Sequence, residues 1–144
     1  MYRYLLFVLC FISICINPIL GQNDDNIKLK NYSIHIDFSN FYLSGICIVQ
    51  LDNDIIVSSV VNEFGLSTVT FQYKIRKDKI KIINIIKQLD KFYIKKIIKS
   101  DLKKITKEYI IPSYYNNQCK GYEYENIKYN INYKLIPLKN EIAQ

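Results

Sequence analysis

The chain has 144 residues, half of them Ile, Lys, Asn or Tyr, and a formal charge of +7. Its length suffices for one hydrophobic core and is too short for two domains. The scarcity of Gly and Pro argues against a disordered chain, and the abundance of strand-forming residues argues for an ordered β-rich domain. The charge alone does not predict an anionic partner, because a general lysine excess is typical of a solvated surface.

Residues 1–21 have the order of a secretory signal peptide. Arg3 precedes the apolar run Leu5–Ile16, and Pro18 interrupts the chain before Gly21. A positive end, an apolar segment of about 7–15 residues and a small residue together predict export and cleavage after Gly21. An uncleaved anchor is the alternative, but a spanning helix needs about 20 apolar residues. We expect a protein of the periplasm or outer membrane, in the cell envelope.

A flexible leader is expected at 22–30, followed by a single β-rich domain at 31–138 and a tail at 139–144. The first strand, from Tyr32 to Phe38, alternates apolar and polar residues. Further strands are predicted at Ser44–Leu51, Asp54–Glu63, Leu66–Ile75 and Lys79–Ile86, with turns at Asn53, Phe64-Gly65 and Lys77-Asp78. Because such short connections leave no room for crossover helices, the sheet is predicted to be antiparallel.

An amphipathic helix is predicted at Asp90–Lys107. At about 100° per residue, one arc holds Ile94, Ile97, Ile98, Leu102, Ile105 and Tyr109. A stripe of lysines lies beside this arc, at Lys91, Lys95, Lys99, Lys103 and Lys107. The stripe is either the solvated side of a docked helix or a surface for anionic lipid headgroups, at about 1 kcal/mol per lysine.

Pro112 is predicted to end the helical region, and Ser113–Lys120 to form a loop. A final hairpin is then predicted around Asn126, with strands Tyr122–Glu125 and Ile127–Leu135.

Two central strand segments, Ile46–Val49 and Ile55–Val57, are apolar on both faces. Both faces must therefore be covered, one by the helix and the other by a ligand, a membrane or a partner. The predicted fold is mainly β (α+β), a curved antiparallel sheet or half-open β-barrel covered by a helical segment. Lipid-binding residues are predicted on its concave side and the facing helix: Val49, Val57, Val69, Phe71, Tyr73, Ile98 and Leu102.

Cys47 and Cys119 remain after signal cleavage. Export favours a disulfide between them, whereas the apolar surroundings of Cys47 favour a buried, unpaired thiol, and both interpretations stay open. His35 stands at a polar strand position, so neither a zinc site nor a catalytic base is predicted. No catalytic or metal-binding residues and no cofactor are predicted, and export argues against a nucleic-acid partner.

Part of the chain resembles small envelope proteins of Bacteroidetes-type bacteria that are similar to the LolA/LolB lipoprotein-carrier superfamily. The resemblance covers less than half of the chain and rests on Tyr42-Leu43-Ser44-Gly45-Ile46-Cys47-Ile48-Val49, Asn62-Glu63-Phe64-Gly65, Gln88-Leu89-Asp90-Lys91 and Asp101-Leu102. It implies a half-open barrel whose concave face binds acyl chains. Many relatives are lipoproteins, but neither Cys10 nor Cys15 follows the small residue that a lipid-attachment motif has.

The sequence thus predicts an exported, non-enzymatic protein that binds a lipid or a lipoprotein acyl chain, and that contacts an anionic membrane surface if the lysine stripe serves that role. The alternative is a structural or interaction protein whose apolar sheet face is buried by a partner or by a second copy.

Overall fold

The computed structural model describes residues 27–116 and 120–139. The predicted signal peptide and Cys119 lie outside these residues, as does most of the predicted tail. The described chain forms one seven-stranded antiparallel sheet, curled into a half-barrel, with a helical segment against it. The predicted fold class is confirmed.

The seven strands are β1 (Ile27–Phe38), β2 (Phe41–Asp52), β3 (Ile55–Val61), β4 (Ser67–Lys74), β5 (Lys79–Ile85), β6 (Tyr122–Asn126) and β7 (Ile131–Pro137). Their order across the sheet is β5-β4-β3-β2-β1-β7-β6. The first five strands form a meander, and the helical segment carries the chain across to the far side of β1. The last hairpin then adds to β1 through β7.

The predicted turns adopt the backbone geometry that their residues favour. Asn53, Gly65 and Asp78 all have positive φ angles, between 50° and 76°. Asn, Asp and Gly adopt this left-handed conformation most readily.

Strand β1 begins at Ile27, so the prediction of a loose leader was wrong for residues 27–30. The strand pairs with β2 along its whole length, from Ile27 opposite Asp52 to Phe38 opposite Phe41. The Lys30 ammonium also donates a hydrogen bond to the carbonyl of Ser113. These long-range contacts order a segment whose own alternation, Ile27-Lys28-Leu29-Lys30, is out of phase with the buried positions Tyr32, Ile34 and Ile36.

Helix α1 (Phe92–Ile105) continues through a π-helical segment, Thr106–Ile110, into helix α2 (Ile111–Asn116). The prediction that Pro112 ends the helical region was therefore wrong. At the junction, the Ile111 N–H donates to the carbonyl of Thr106, five residues earlier. A proline normally clashes with the preceding helical turn, and such a widened turn gives it room.

The last hairpin differs from its prediction in one respect. Residues 127–130 form a turn rather than the start of a strand, and Asn130 has a φ of 52°. Ile127 is exposed in this turn. The alternation of apolar and polar residues runs unbroken through this turn, so the pattern alone placed the strand four residues too early.

The core lies between the concave face of the sheet and the helical segment. Inward side chains of β1, including Tyr32, Ile34 and Ile36, are almost fully buried, as are Ile98, Leu102 and Ile105 of α1. The rings of Tyr32 and Tyr109 meet edge to face, with centroids 5.7 Å apart.

Candidate functional site

Most of the residues predicted to bind lipid lie in this closed core. Val49, Val69, Phe71 and Tyr73 point inward from the sheet and are at most 2% exposed. Ile98 and Leu102 are buried on the facing helix. The protein's own helix therefore fills the part of the concave face that was assigned to a ligand, and the six residues pack in the core instead.

Val57 was assigned to the wrong face of the sheet. Its neighbours Ile56 and Ser58 are fully buried on the inward side, whereas Val57 is half-buried opposite Gln50 on the convex side. Val49 pairs with Ser58, so Val49 and Val57 point in opposite directions. A segment that is apolar on both faces gives no signal for choosing between them.

Four chain segments meet at one end of the half-barrel, which we call the open end. Strands β1, β3, β5 and β6 all run toward this end. The turn 39–40, the loop 62–66, the connection 86–91 and the turn 127–130 therefore lie there together. Helix α1 also begins at this end.

A cleft of about 680 Å³ opens between these segments. Apolar atoms form most of its wall, and six of the lining residues are wholly apolar: Phe38, Phe41, Leu89, Ile94, Ile97 and Ile131. Polar groups complete the lining, namely Ser39, Asn40, Gln88, Lys91, Tyr93 and Tyr129. The rings of Phe38 and Phe41 pack at a centroid distance of 5.7 Å. Its volume lies within the range of about 300–1,000 Å³ that small-molecule sites occupy.

None of the predicted lipid-binding residues lines this cleft. Ile94 and Ile97 belong to the predicted apolar arc of the helix, and Phe38 ends the predicted first strand. One sign of the cleft was therefore present in the sequence: the apolar arc of the helix extends beyond the buried Ile98 toward the start of the helix. The contribution of the turns 39–40 and 127–130 to the cleft could not be predicted, because turn residues show no periodicity.

A second cleft, of about 450 Å³, continues from the first along the groove between α1 and the last hairpin. The two share Tyr93, Ile97 and Tyr129, and the second extends to Asp101 and Asn126. The walls of both clefts thus depend on how α1 is held against the hairpin.

A buried carboxylate holds these two elements together. Asp101 is 3% exposed, and the Asn126 amide donates to both of its oxygens at 2.8 and 3.0 Å. The Tyr133 hydroxyl donates to the same carboxylate at 2.8 Å. Burial and the adjacent Asp101 raise the pKa of Tyr133, so this phenol keeps its proton and remains a donor.

The role of Asp101 was missed, although the sequence contains a signal for it. Asp101 lies three residues after Ile98 and four before Ile105, on the apolar arc of the helix. A charged residue at such a position requires polar partners inside the core.

The lysine stripe runs down the flank of α1, and much of it is engaged in ion pairs. Lys95 pairs with Asp90 at 3.4 Å, and both Lys103 and Lys107 pair with Asp78 at 3.2 Å. The Tyr73 hydroxyl also donates to Asp78 at 2.7 Å, so Asp78 joins the helix to the β4–β5 turn. A membrane role for Lys91, Lys95, Lys99 and Lys103 stays a prediction.

Cys47 carries a free, buried thiol, 3.1 Å from the hydroxyl oxygen of Ser58. Burial raises the pKa of this thiol to about 11, which makes it a poor nucleophile at neutral pH. The structure holds no disulfide at Cys47, and Cys119 lies outside the described residues. His35 is exposed on the convex face.

Within residues 27–116 and 120–139, no three His, Cys, Asp or Glu side chains are grouped so as to hold a metal ion. No helix in the same part of the chain is long and apolar enough to cross a membrane.

No protein-family model, no curated protein sequence and no solved structure matches this chain.

Proposed function

We propose that the protein is an exported, non-enzymatic binder of a lipid or a lipoprotein acyl chain. The observation that carries this proposal is the cleft of about 680 Å³ at the open end, whose wall is mostly apolar. The proposed site differs from the one expected from the sequence, because the helix fills the centre of the concave face.

The lining of the cleft suits a chain with one polar end. Each methylene group that leaves water for an apolar wall contributes about 0.8 kcal/mol to binding. Ile94, Ile97 and Leu89 supply such a wall, while Lys91 places an ammonium group among the lining residues. A carboxylate or phosphate head group can pair with that ammonium while the hydrocarbon chain lies against the isoleucines.

Native mass spectrometry of protein purified without detergent tests the proposal directly, since a bound lipid adds a defined mass. A fluorescent fatty acid gives the matching solution measurement. The absence of both a lipid adduct and dye binding would show that the proposal is wrong.

A pair of matched variants locates the site. Ile94→Trp fills the cleft without making it polar, and is expected to weaken dye binding at least about tenfold by steric exclusion. Ile83→Trp places the same ring on an exposed position of β5, away from the cleft, and should leave dye affinity unchanged. Equal dye affinity of the two variants would place the dye somewhere else.

Export is tested separately, by N-terminal sequencing of the protein recovered from the envelope or medium of its host. The mature chain is expected to begin at Gln22. A retained Met1, or a lipid on Cys15, would contradict the proposed localisation.

One observation favours the second candidate function, an interaction protein. On the convex face, Ser33 pairs with Ile46 on one side and Ile136 on the other, and both isoleucines are exposed. Ile48 extends this apolar patch, which a partner or a second copy would bury. Size-exclusion chromatography with light scattering separates the candidates, because a dimer that Ile46→Lys dissociates would favour the second.

A further inference from the structure

The most exposed apolar side chains of the described residues gather at the open end. Seven large apolar side chains are 61–86% exposed. Six of them lie in or beside the four segments that meet there, and we call them the apolar rim: Tyr42, Phe64, Leu66, Phe92, Tyr93 and Ile127. The seventh, Tyr115, lies near the end of α2, at the opposite end of the half-barrel.

These six residues come from four separate parts of the chain, so their convergence is a product of the fold. One loop is held in place by its own side chain, since the amide oxygen of Asn62 accepts hydrogen bonds from the backbone N–H groups of Phe64 and Leu66, at 3.0 and 2.9 Å. Phe64 and Leu66 therefore project from an ordered turn. Apolar side chains gathered in one exposed surface mark a site of interaction.

The rim lies beside the mouth of the proposed lipid cleft. Tyr93 lines that cleft, and Tyr42 and Phe64 line a neighbouring recess of about 550 Å³. The recess and the cleft share Asn40 and Phe41. A flat surface that covered the rim would therefore also cover the entrance to the cleft.

The charges at this end are complementary to an anionic surface. Lys87, Lys91 and Lys128 lie in the rim segments, and none of them takes part in an ion pair with another described residue. Of the acidic residues there, Asp90 is paired with Lys95 at 3.4 Å, and Glu63 in the loop 62–66 and Asp37, opposite Tyr42 on β1, are solvent-exposed. Phe, Leu and Ile side chains with Tyr and Lys among them are the composition of a surface that lies in a membrane interface.

We infer that the apolar rim docks on an anionic phospholipid bilayer, with the cleft opening onto the membrane. This inference deepens the proposed function by naming the surface from which an acyl chain enters. It also assigns the membrane contact to the end of the half-barrel rather than to the lysine stripe, of which only Lys91 lies at the rim.

The absence of tryptophan from the chain allows a site-specific test. The full chain is prepared with a single reporter, either Phe64→Trp in the rim or Tyr115→Trp at the opposite end. Vesicles of phosphatidylcholine with one-quarter phosphatidylglycerol are expected to shift the Phe64→Trp emission to the blue, and brominated lipids to quench it. The Tyr115→Trp emission should change in neither experiment, even if the apolar segment Leu5–Ile16 tethers the chain to the vesicle.

Charge variants test the anionic lipid requirement. Replacing Lys87, Lys91 and Lys128 by Gln should weaken vesicle partitioning on the order of a hundredfold, from about 1 kcal/mol per lysine. The matched control replaces Lys74, Lys77 and Lys79, which lie at the opposite end. It should weaken partitioning by only a few fold, because charges more than a Debye length from the headgroups are screened.

Several results would overturn the inference. They are an unchanged Phe64→Trp emission, equal losses in both lysine variants, or self-association in solution that Phe64→Ser with Ile127→Ser abolishes. Dye binding in the cleft is measured alongside, since neither Phe64 nor Ile127 lines it. Dye binding without vesicle docking would show that the rim does not bind membranes, while leaving the proposed lipid-binding function intact. Vesicle docking without dye binding would support the rim and contradict the proposed function.

Discussion

The phenol of Tyr133 on β7 donates a 2.8 Å hydrogen bond to the buried carboxylate of Asp101 on α1. This bond crosses the core beside the second cleft and joins the helix to the last hairpin. A hydrogen bond to a charged group contributes about 1.5–3 kcal/mol, more than a bond between neutral groups.

Tyr133→Phe is therefore expected to lower the free energy of unfolding by about 1.5–3 kcal/mol. Urea unfolding monitored by circular dichroism measures the change. Tyr42→Phe is the matched control, because Tyr42 is exposed and its substitution should change the free energy by less than about 0.5 kcal/mol. Equal effects of the two substitutions would show that the Asp101 bond adds nothing to stability.

The contacts of the Asp78 carboxylate predict that part of the protein's stability is lost at acid pH. The hydrogen bond from Tyr73, followed by the contacts from Lys103 and Lys107, lowers the pKa of Asp78 to about 2. Because the folded pKa lies below the ordinary value of 3.8, this contribution is present above about pH 4 and is lost as the pH falls toward 2. Denaturant titrations between pH 5 and 2 should therefore show a smaller decline for Asp78→Asn than for the unsubstituted protein. Parallel curves would contradict this assignment.

At alkaline pH, stability is expected to decrease as the pH rises, in contrast to its increase with pH in the acid range. Burial raises the pKa of Cys47 to about 11, and burial together with the Asp78 contact raises the pKa of Tyr73 to about 12. Both groups hold their protons more tightly when folded, so stability is full below their ordinary values of 9.0 and 10.0. It should then fall as the pH rises through 11 and 12.

Cys47→Ala separates the two groups. Whatever its effect at neutral pH, this variant should lose stability less steeply between pH 9 and 11, since no thiol remains to ionise. Tyr73→Phe is the companion variant for the window from pH 10 to 12. Unchanged slopes in both variants would show that other groups cause the alkaline transition.

The backbone of β3 lies so close to Gly45 that the sheet has no room for a side chain there. A Cβ atom at this position would lie 2.9 Å from the carbonyl carbon of Val61, so the backbone of β3 would have to move. Gly45→Ala is expected to cost about 1–3 kcal/mol of unfolding free energy, as overpacking of a core usually does. Gly121→Ala is the control, because its Cβ would meet nothing closer than 3.4 Å. Thermal unfolding compares the two, and a tolerated Gly45→Ala would contradict the close approach.

Local chemistry made much of the meander predictable. The strands between Ser44 and Ile86 follow from alternation and β-branched residues, and their turns from Asn53, Gly65 and Asp78, which accept positive φ angles. The errors fell where distant contacts override the local pattern. Pairing with β2 orders Ile27–Lys30, and a π-helical turn carries the helix past Pro112.

The sequence by itself determined that an antiparallel sheet would form and that an apolar arc of a helix would cover it. A strand period of two and a helix period of 3.6 are local properties, so they can be recognised without knowing the fold. Only the tertiary structure decided that α1 closes the centre of the concave face, that Val57 lies on the convex face, and that the cleft opens at one end. Those outcomes depend on how far the sheet curls and on which turns meet. Turn residues that lie far apart in the chain share no sequence pattern, so only the folded strands show which of them come together.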